Sequence, residues 1–514
     1  MDLPSASAAV AAATAAVIFL LTIYLLTKQK SPATTGNSGS TSLKSYPIIG
    51  NLPHFVKNRN RFLDWVAEII SLSPTDTVIA TPLVFTANPD NVEHTAKSRF
   101  DTYSRGPAAT AVLHDFLGSG ILNVDGESWR AQRKTASSEF TTRSLRAFIL
   151  DAVDGEAAGR LLPLLSRAAA SGEVLDLQDV LERFAFDNIC SIIFDADPNC
   201  LNDTHDGVGE RFYHAFHDAT LLSTGRYYYP FHWVWRLLRW LNLGNEKRLR
   251  DAVSDVHKAI DELVGSRRTE VGTTVRRQGG GSDLLSRFAE SGDYSDDVLR
   301  DVLINFVLAG RDTTPSALTW FFFSISLRPD VVDKILDEIR SIRDRQDRNN
   351  PNSGGGGFTL EELREMNYLH AAITESLRLN PPVPLMPKMC MEDDVLPDGT
   401  VVRRGWTVMY SAFVMGRKAE IWGEDCMEFK PERWLDDGGC FKSASAYRLP
   451  AFHAGPRICL GKDMAYIQMK AVASSMLERF EVEVVEKRGK PELSITMRMD
   501  RGLPVRIKER KRGC

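Results

Sequence analysis

A chain of 514 residues, 43% hydrophobic and 25% charged, can build a large globular core. Its 63 basic and 67 acidic residues leave a net charge of −4, which gives no global case for nucleic-acid binding. Seven cysteines, an odd number at irregular spacing with no CxxC pair, argue against a disulfide framework and a structural zinc site.

From Leu3 to Thr27 there is no charged residue, and the run Ala8 to Leu26 is apolar. At about 1.5 Å per helical residue it can cross a bilayer of roughly 30 Å, so residues 1–30 are predicted to be a single transmembrane anchor. A cleaved signal peptide is the competing reading, disfavoured because Asp2 is the only charge before the run. Lys28 and Lys30 follow at once, which leaves the rest of the chain in the cytosol. The sequon at Asn202 is then expected to stay unmodified. Residues 31–45, rich in Ser, Thr and Gly, read as a flexible linker. Residues 46–509 form the predicted catalytic domain, beginning with a turn-rich segment from Tyr46 to Pro53, and 510–514 are a solvated tail.

Within the body, helical periodicity dominates, as at Leu177 to Phe194, Ala252 to Arg267 and Leu299 to Leu327. Strand candidates are few: Thr77 to Thr81, Val84 to Ala87, Val401 to Val402 and Trp406 to Tyr410. The predicted class is mainly α with a small β part. Gly272 to Ser282 and Asp344 to Gly357 are predicted loops, and the four consecutive glycines in the second have no GK[ST] to make a phosphate cradle.

Trp129 and Arg133 are four apart and share a helical face. His214 and His217 have a spacing able to hold zinc, but no companion Cys or Glu supports a closed site. The polar cluster Ala309 to Thr314 interrupts a long apolar helix, a costly placement unless it serves a purpose. Pro315 lacks the N–H that would bond the Arg311 carbonyl, so a kink is expected there. The resulting groove would carry the Thr313 hydroxyl and the Asp312 carboxylate, a pair able to move protons in a dry pocket; a solvent-facing cap is the plainer alternative. Glu375 and Arg378 share a helical face among apolar neighbours, so a buried ion pair is expected. Near the C-terminus, Cys459 lies between Gly455 and Gly461, which let the backbone approach something bulky and flat. Arg457 offers a fixed positive charge to the thiolate or to an acidic cofactor group, and Phe452 can shield the sulfur.

The stretch from Phe452 to Gly461 matches FxxGxRxCxG, and the chain resembles the cytochrome P450 haem-thiolate enzymes. Ala309 to Thr314, the Glu375-xx-Arg378 motif with Arg433, and Trp129-xxx-Arg133 match three further motifs of that family in the same order. The resemblance implies the cytochrome P450 fold behind the membrane helix and haem held by Cys459, whose thiolate promotes O–O cleavage. It also implies proton delivery by Thr313 and Asp312, haem acid groups on Trp129, Arg133 and Arg457 with Lys388 a weaker candidate, and a brace of Glu375, Arg378 and Arg433. It places the enzyme on the endoplasmic-reticulum membrane, facing the cytosol and reduced by an NADPH-cytochrome reductase. Arg130, Lys134, Lys462 and Lys470 are candidates for docking that donor, with solvated helix faces as the alternative.

Segments such as Leu113 to Gly126, Phe184 to Cys190, Asp394 to Gly399 and Ile421 to Cys426 are similar to plant fatty-acid ω-hydroxylases, jasmonoyl-isoleucine hydroxylases and sterol side-chain hydroxylases. The implied reaction is hydroxylation at or near the end of an aliphatic lipid chain, a fatty acid first and a sterol side chain or jasmonate conjugate as alternatives. Leu113, Phe116, Phe306 and Val383 to Met386 are the expected channel lining. An isomerase or a non-catalytic haem protein would have no use for Asp312 and Thr313.

Overall fold

The computed structural model describes residues 41–46, 49–140, 143–202, 207–229, 231–273, 295–349 and 357–511. The anchor predicted for residues 1–30 lies outside them, and among the described residues no helix is long and apolar enough to cross a membrane. Most of the Gly272 to Ser282 loop also lies outside.

Helices make up most of the body, as the periodicity implied. Those that build the site are α1 (Gly126–Phe140), α2 (Leu177–Phe194), α3 (Val208–Gly225), α4 (His232–Leu241), α5 (Asp296–Ser326), α6 (Asn367–Leu379) and α7 (Lys462–Arg479). α2 starts where Asp176 accepts a bond from the Gln178 N–H, satisfying one of the free donors of the first turn. α6 stops at Asn380, immediately before Pro381 and Pro382, which cannot continue it. α5 is the central element, with the two larger of the three apolar clusters of the core packed along it. It runs unbroken through Pro315, so the proline does not end the helix. A helix spanning Pro329–Asn349 occupies the first part of the second predicted loop.

The main sheet has six strands: β1 (Thr41–Ser42), β2 (Thr77–Ala80), β3 (Leu83–Thr86), β4 (Tyr103–Ser104), β5 (Leu385–Cys390) and β6 (Thr407–Ser411), in the order β1-β2-β3-β6-β5-β4. β1 comes from the end of the predicted linker; Thr41 pairs with Val78 and the Leu43 N–H donates to Ile79 at 2.8 Å. Leu385 to Cys390, a segment without strand periodicity, is recruited by pairing with β6 on one edge and β4 on the other. A short hairpin, β7 (Pro491–Leu493) and β8 (Met497–Met499), reaches α5, where Ser316 donates to the Met497 carbonyl at 2.7 Å.

Candidate active site

The cysteine loop is held by its own backbone. The Cys459 N–H donates to the Phe452 carbonyl at 2.8 Å and the Ile458 N–H to Gly455 at 3.0 Å. Gly455 has φ +68°, and a Cβ there would stand 2.0 Å from the Ala96 carbonyl, so its close approach is to the 94–98 segment. Gly461 differs: a Cβ would meet only the Cys459 sulfur, at 3.9 Å. Its N–H bonds toward that sulfur and it caps the start of α7. Cys459 sits deep in the molecule, where burial pushes the thiol pKa up while the Gly461 N–H, Arg133 and Lys462 pull it down. The Phe452 ring is half-buried against Tyr466, with centroids 5.4 Å apart.

Two arginines tie α1 to this loop. Arg133 donates to the Ile458 carbonyl at 2.7 Å, while Arg457 donates to Val124 and Asp125 and stacks 4.6 Å above the Trp129 ring. The charge acting on the sulfur is therefore that of Arg133 and Lys462, with Arg457 engaged elsewhere. Arg457, Lys388 and Arg105 form one basic group around the carboxylate of Asp125, with the His453 ring beside them. Burial, with Arg457 and Arg105 beside it, drops Lys388 to about 7, and the same causes with Lys388 drop His453 to about 4. An interior that gathers this much positive charge around one carboxylate is matched to a bound anion. The donor set fits a haem with its two acid groups at this edge. A cleft of about 640 Å³ opens beside it, lined by residues including Trp129, Asp125 and Arg457.

On the opposite side, Ala309 is exposed and Thr313 half-exposed on a helix whose neighbours Leu303 to Leu308 and Thr314 to Phe322 are buried. Both therefore lie on the accessible strip of this part of the helix. Cys459 is likewise accessible despite its depth, and Leu460 beside it packs against the cluster that holds Phe306 and Leu308. The Thr313 hydroxyl donates to the Ala309 carbonyl at 2.7 Å. Asp312 points elsewhere, bonded to Arg311 at 2.7 Å, so hydroxyl and carboxylate do not share one groove. Gly310 is not on the open face either: a Cβ would lie 2.5 Å from Ile189 of α2, which makes it a helix-packing residue.

Glu375 and Arg378 are fully buried and joined by two bonds of 2.7 Å. Glu375 also accepts from the Lys430 N–H and the Trp434 ring N–H, each at 2.9 Å. Arg433 lies 3.5 Å from Glu375 but spends its hydrogen bonds on Trp422 and Asp425. Arg378 donates to the carbonyls of Gly416, Cys426 and Glu428. The brace thus grips the 416–434 segment that leads to the cysteine loop. Of the four candidate docking residues, Lys470 is buried and donates to the Leu363 carbonyl, which removes it from any docking face. Arg130 is exposed but paired with Asp101 and Glu127. His214 pairs with Glu210 and His217 with Arg311; among the described residues no group of His, Cys, Asp or Glu is placed to hold a metal ion.

A family model described as Cytochrome P450 matches residues 41–508. The chain is a cytochrome P450. It is 48% identical over 485 residues to cytochrome P450 CYP94D108 of Paris polyphylla, covering 94% of each chain. It is 41% identical over 507 residues to cytochrome P450 94B1 of Arabidopsis thaliana, covering 96% of each, and 38% identical over 488 residues to cytochrome P450 94A1 of Vicia sativa, covering 92% of each. As a cytochrome P450 it is a monooxygenase that uses haem with a cysteine thiolate ligand and takes electrons from a redox partner of the NADPH-cytochrome reductase kind.

Sequence reading missed Arg105, Asp125 and His453 beside Lys388 and Arg457. His453 lies inside the Phe452 to Gly461 stretch, at a position the motif leaves free. Arg105 had no local signal, because only the pairing of β4 with β5 brings it beside Lys388.

Proposed function

We propose that this monooxygenase hydroxylates the terminal or near-terminal carbon of an aliphatic lipid chain, a fatty acid first, using O2 and NADPH-derived electrons. Cys459 is the proposed axial ligand. Arg133, Arg457, Trp129 and Lys388 would hold the haem at its acid-group edge, and Phe452, Gly455 and Gly461 shape the loop beneath it. When bound, haem supplies the oxygen-activating chemistry. Thr313 holds a hydroxyl at the open face of α5, and Asp312 supplies the carboxylate of the proton path.

The observation that carries the reading is the accessible surface of Ala309 and Thr313, set among buried apolar side chains. Phe306, Leu113 and Phe116 belong to one cluster, and the Phe116 ring meets Phe216 at 5.1 Å. Such walls accept a hydrocarbon and discriminate by shape. A terminal methyl C–H is harder to break than its methylene neighbour, so selectivity for the end must come from presenting only that end. A sterol side chain is the second reading. It is favoured by the apolar Pro382 to Met386 stretch and by Lys388, whose place in the cation group leaves it unavailable to a fatty carboxylate.

An endoplasmic-reticulum position with the body in the cytosol agrees with the apolar run before Lys28. It also agrees with α4, where Trp233, Leu237, Trp240 and Leu241 share one exposed face beside Arg236, the composition of a helix lying in a lipid interface. The test is turnover by microsomes carrying the full chain, offered fatty acids, jasmonoyl-isoleucine and hydroxylated sterols, with products located by mass spectrometry. Terminal or near-terminal alcohols support the reading; oxidation confined to ring or mid-chain carbons overturns it.

A further inference from the structure

Behind α5, on the side away from Ala309, four elements converge on a polar pocket of about 10 Å³. Glu182 comes from α2, His217 and Thr220 from α3, Arg311 and Asp312 from α5, and Ser494, Thr496 and Arg498 from the β7–β8 hairpin. Arg498 bonds Glu182 at 2.8 Å, Arg311 bonds Asp312 at 2.7 Å, and Arg311 meets His217 Nδ1 at 3.1 Å. Arg311 is 2% exposed and lies 4.9 Å from the Tyr213 ring centroid. Its Nε is buried with no hydrogen-bond partner among the described residues. A pocket of this size holds about one water, and an orphaned donor beside two carboxylates gives that water the partners it needs. The outer wall carries Leu221, 40% exposed, and the partly exposed Arg498, so the pocket meets solvent there.

We propose that Glu182 is the outer proton-holding residue of a relay that refills Asp312 from solvent through one water held in this pocket. The proposal rests on the reading of Asp312 as part of the proton path. The protonated Glu182 carboxyl gives its proton to the water as that water gives one to the Asp312 carboxylate. Glu182, now a carboxylate beside Arg498, then takes a proton from solvent, so the net change is one solvent proton placed on Asp312, whose charge returns when it passes that proton on. Glu182 acts through Asp312 and is a positioning and supply residue, distinct from groups that meet the substrate.

The surroundings suit that task. Burial raises Glu182 to about 7; Arg498 and Arg311 oppose the rise, while Asp312 and Asp179 add to it. Near neutral pH it can therefore hold a proton and release it. Below about 7 the proton is present, and above it the supply fails. His217 is pushed down to about 4 by burial, Arg311 and Arg498, so near neutrality it accepts from Arg311 and holds no spare proton.

The test uses the full-length haem-loaded enzyme, with Glu182→Gln, Glu182→Asp and Asp312→Asn as variants. pH-difference infrared spectra of the resting wild-type protein should show protonated carboxyl intensity titrating near 7 from Glu182 and from Glu156, which burial also raises to about 7; the Glu182 part should be lost in Glu182→Gln and shifted in Glu182→Asp, with the Glu156 part unchanged. Product formed per NADPH should fall on the alkaline side of that midpoint. In Glu182→Gln it should drop about tenfold, one order below the low end of a directly acting acid, and lose its pH dependence. Substrate affinity and haem content should not change. If Glu182→Gln does not fold, an unshifted band and an unshifted coupling profile in Glu182→Asp overturn the relay. A band and coupling profile unchanged in Glu182→Gln, with Asp312→Asn uncoupled, overturn the relay and leave the Asp312 reading intact. Unchanged coupling in Asp312→Asn overturns both.

Discussion

The cysteine loop and the polar patch behind α5 satisfy their polar groups differently. In the loop, Cys459 bonds Phe452, Ile458 bonds Gly455 and Arg133 bonds the Ile458 carbonyl, so the sulfur is fixed by donors and acceptors that meet. In the patch, the Arg311 Nε has no partner among the described residues and Glu182 stays protonated to about 7. A ligand must not move, and a closed set of hydrogen bonds holds it still. Proton transfer needs groups close to changing state, and incomplete satisfaction in a buried site keeps them there.

The contrast breaks most completely at the sulfur. Cys459→Ala should abolish the thiolate-type band of the reduced carbon monoxide complex; its retention would move the ligand to another residue. Next is the brace, which belongs with the fixed side. Glu375→Ala leaves Arg378 as an unpaired buried cation and frees the Trp434 and Lys430 donors, a loss of about 3–5 kcal/mol. Denaturant unfolding that shifts by under about 1 kcal/mol would show the brace to be dispensable.

Thr313→Ala tests the proton path on the other face of α5. It should lower product per NADPH by about 10²-fold while haem content and the carbon monoxide band persist. Equal coupling in both proteins would remove the hydroxyl from the proton path.

The smallest effect is at Lys388, the proposed contact for a haem acid group, whose pKa is about 7 before an anion binds. An anionic partner favours the charged lysine, so haem affinity should be flat below about pH 7 and fall as pH rises beyond it. Lys388→Met should bind more weakly at acid pH and lose that slope, as haem transfer to an acceptor protein across pH would reveal; a slope that survives in the variant would clear Lys388 of the role.

Much of this was legible because it is local. Leu177 to Phe194 is a helix with the predicted ends, the four strand candidates all fall on strands, and the three-residue spacing of Glu375 and Arg378 put both on one buried face. What spacing does not reveal is which neighbour covers a face. Gly310 is where Ile189 packs, and Gly455, expected to let the backbone approach something bulky and flat, makes room for the Ala96 carbonyl. Lys470 read as surface charge, yet its helix is covered on that side and its amine bonds the Leu363 carbonyl. Asp312 and Thr313, adjacent in the chain, turn to different sides of α5. Arg105 and Glu182 join their groups only through contacts across the fold, which no local pattern records.

The central claim is that the chain end of a lipid is presented to the oxygen-activating centre. The most direct measurement is the position of the hydroxyl group in products from a single saturated fatty acid and a single sterol, each incubated separately with the enzyme, reductase and NADPH. The account predicts alcohols at the last carbons of the fatty acid or of the sterol side chain. Hydroxyls distributed along the chain, or placed on the sterol rings, would contradict it.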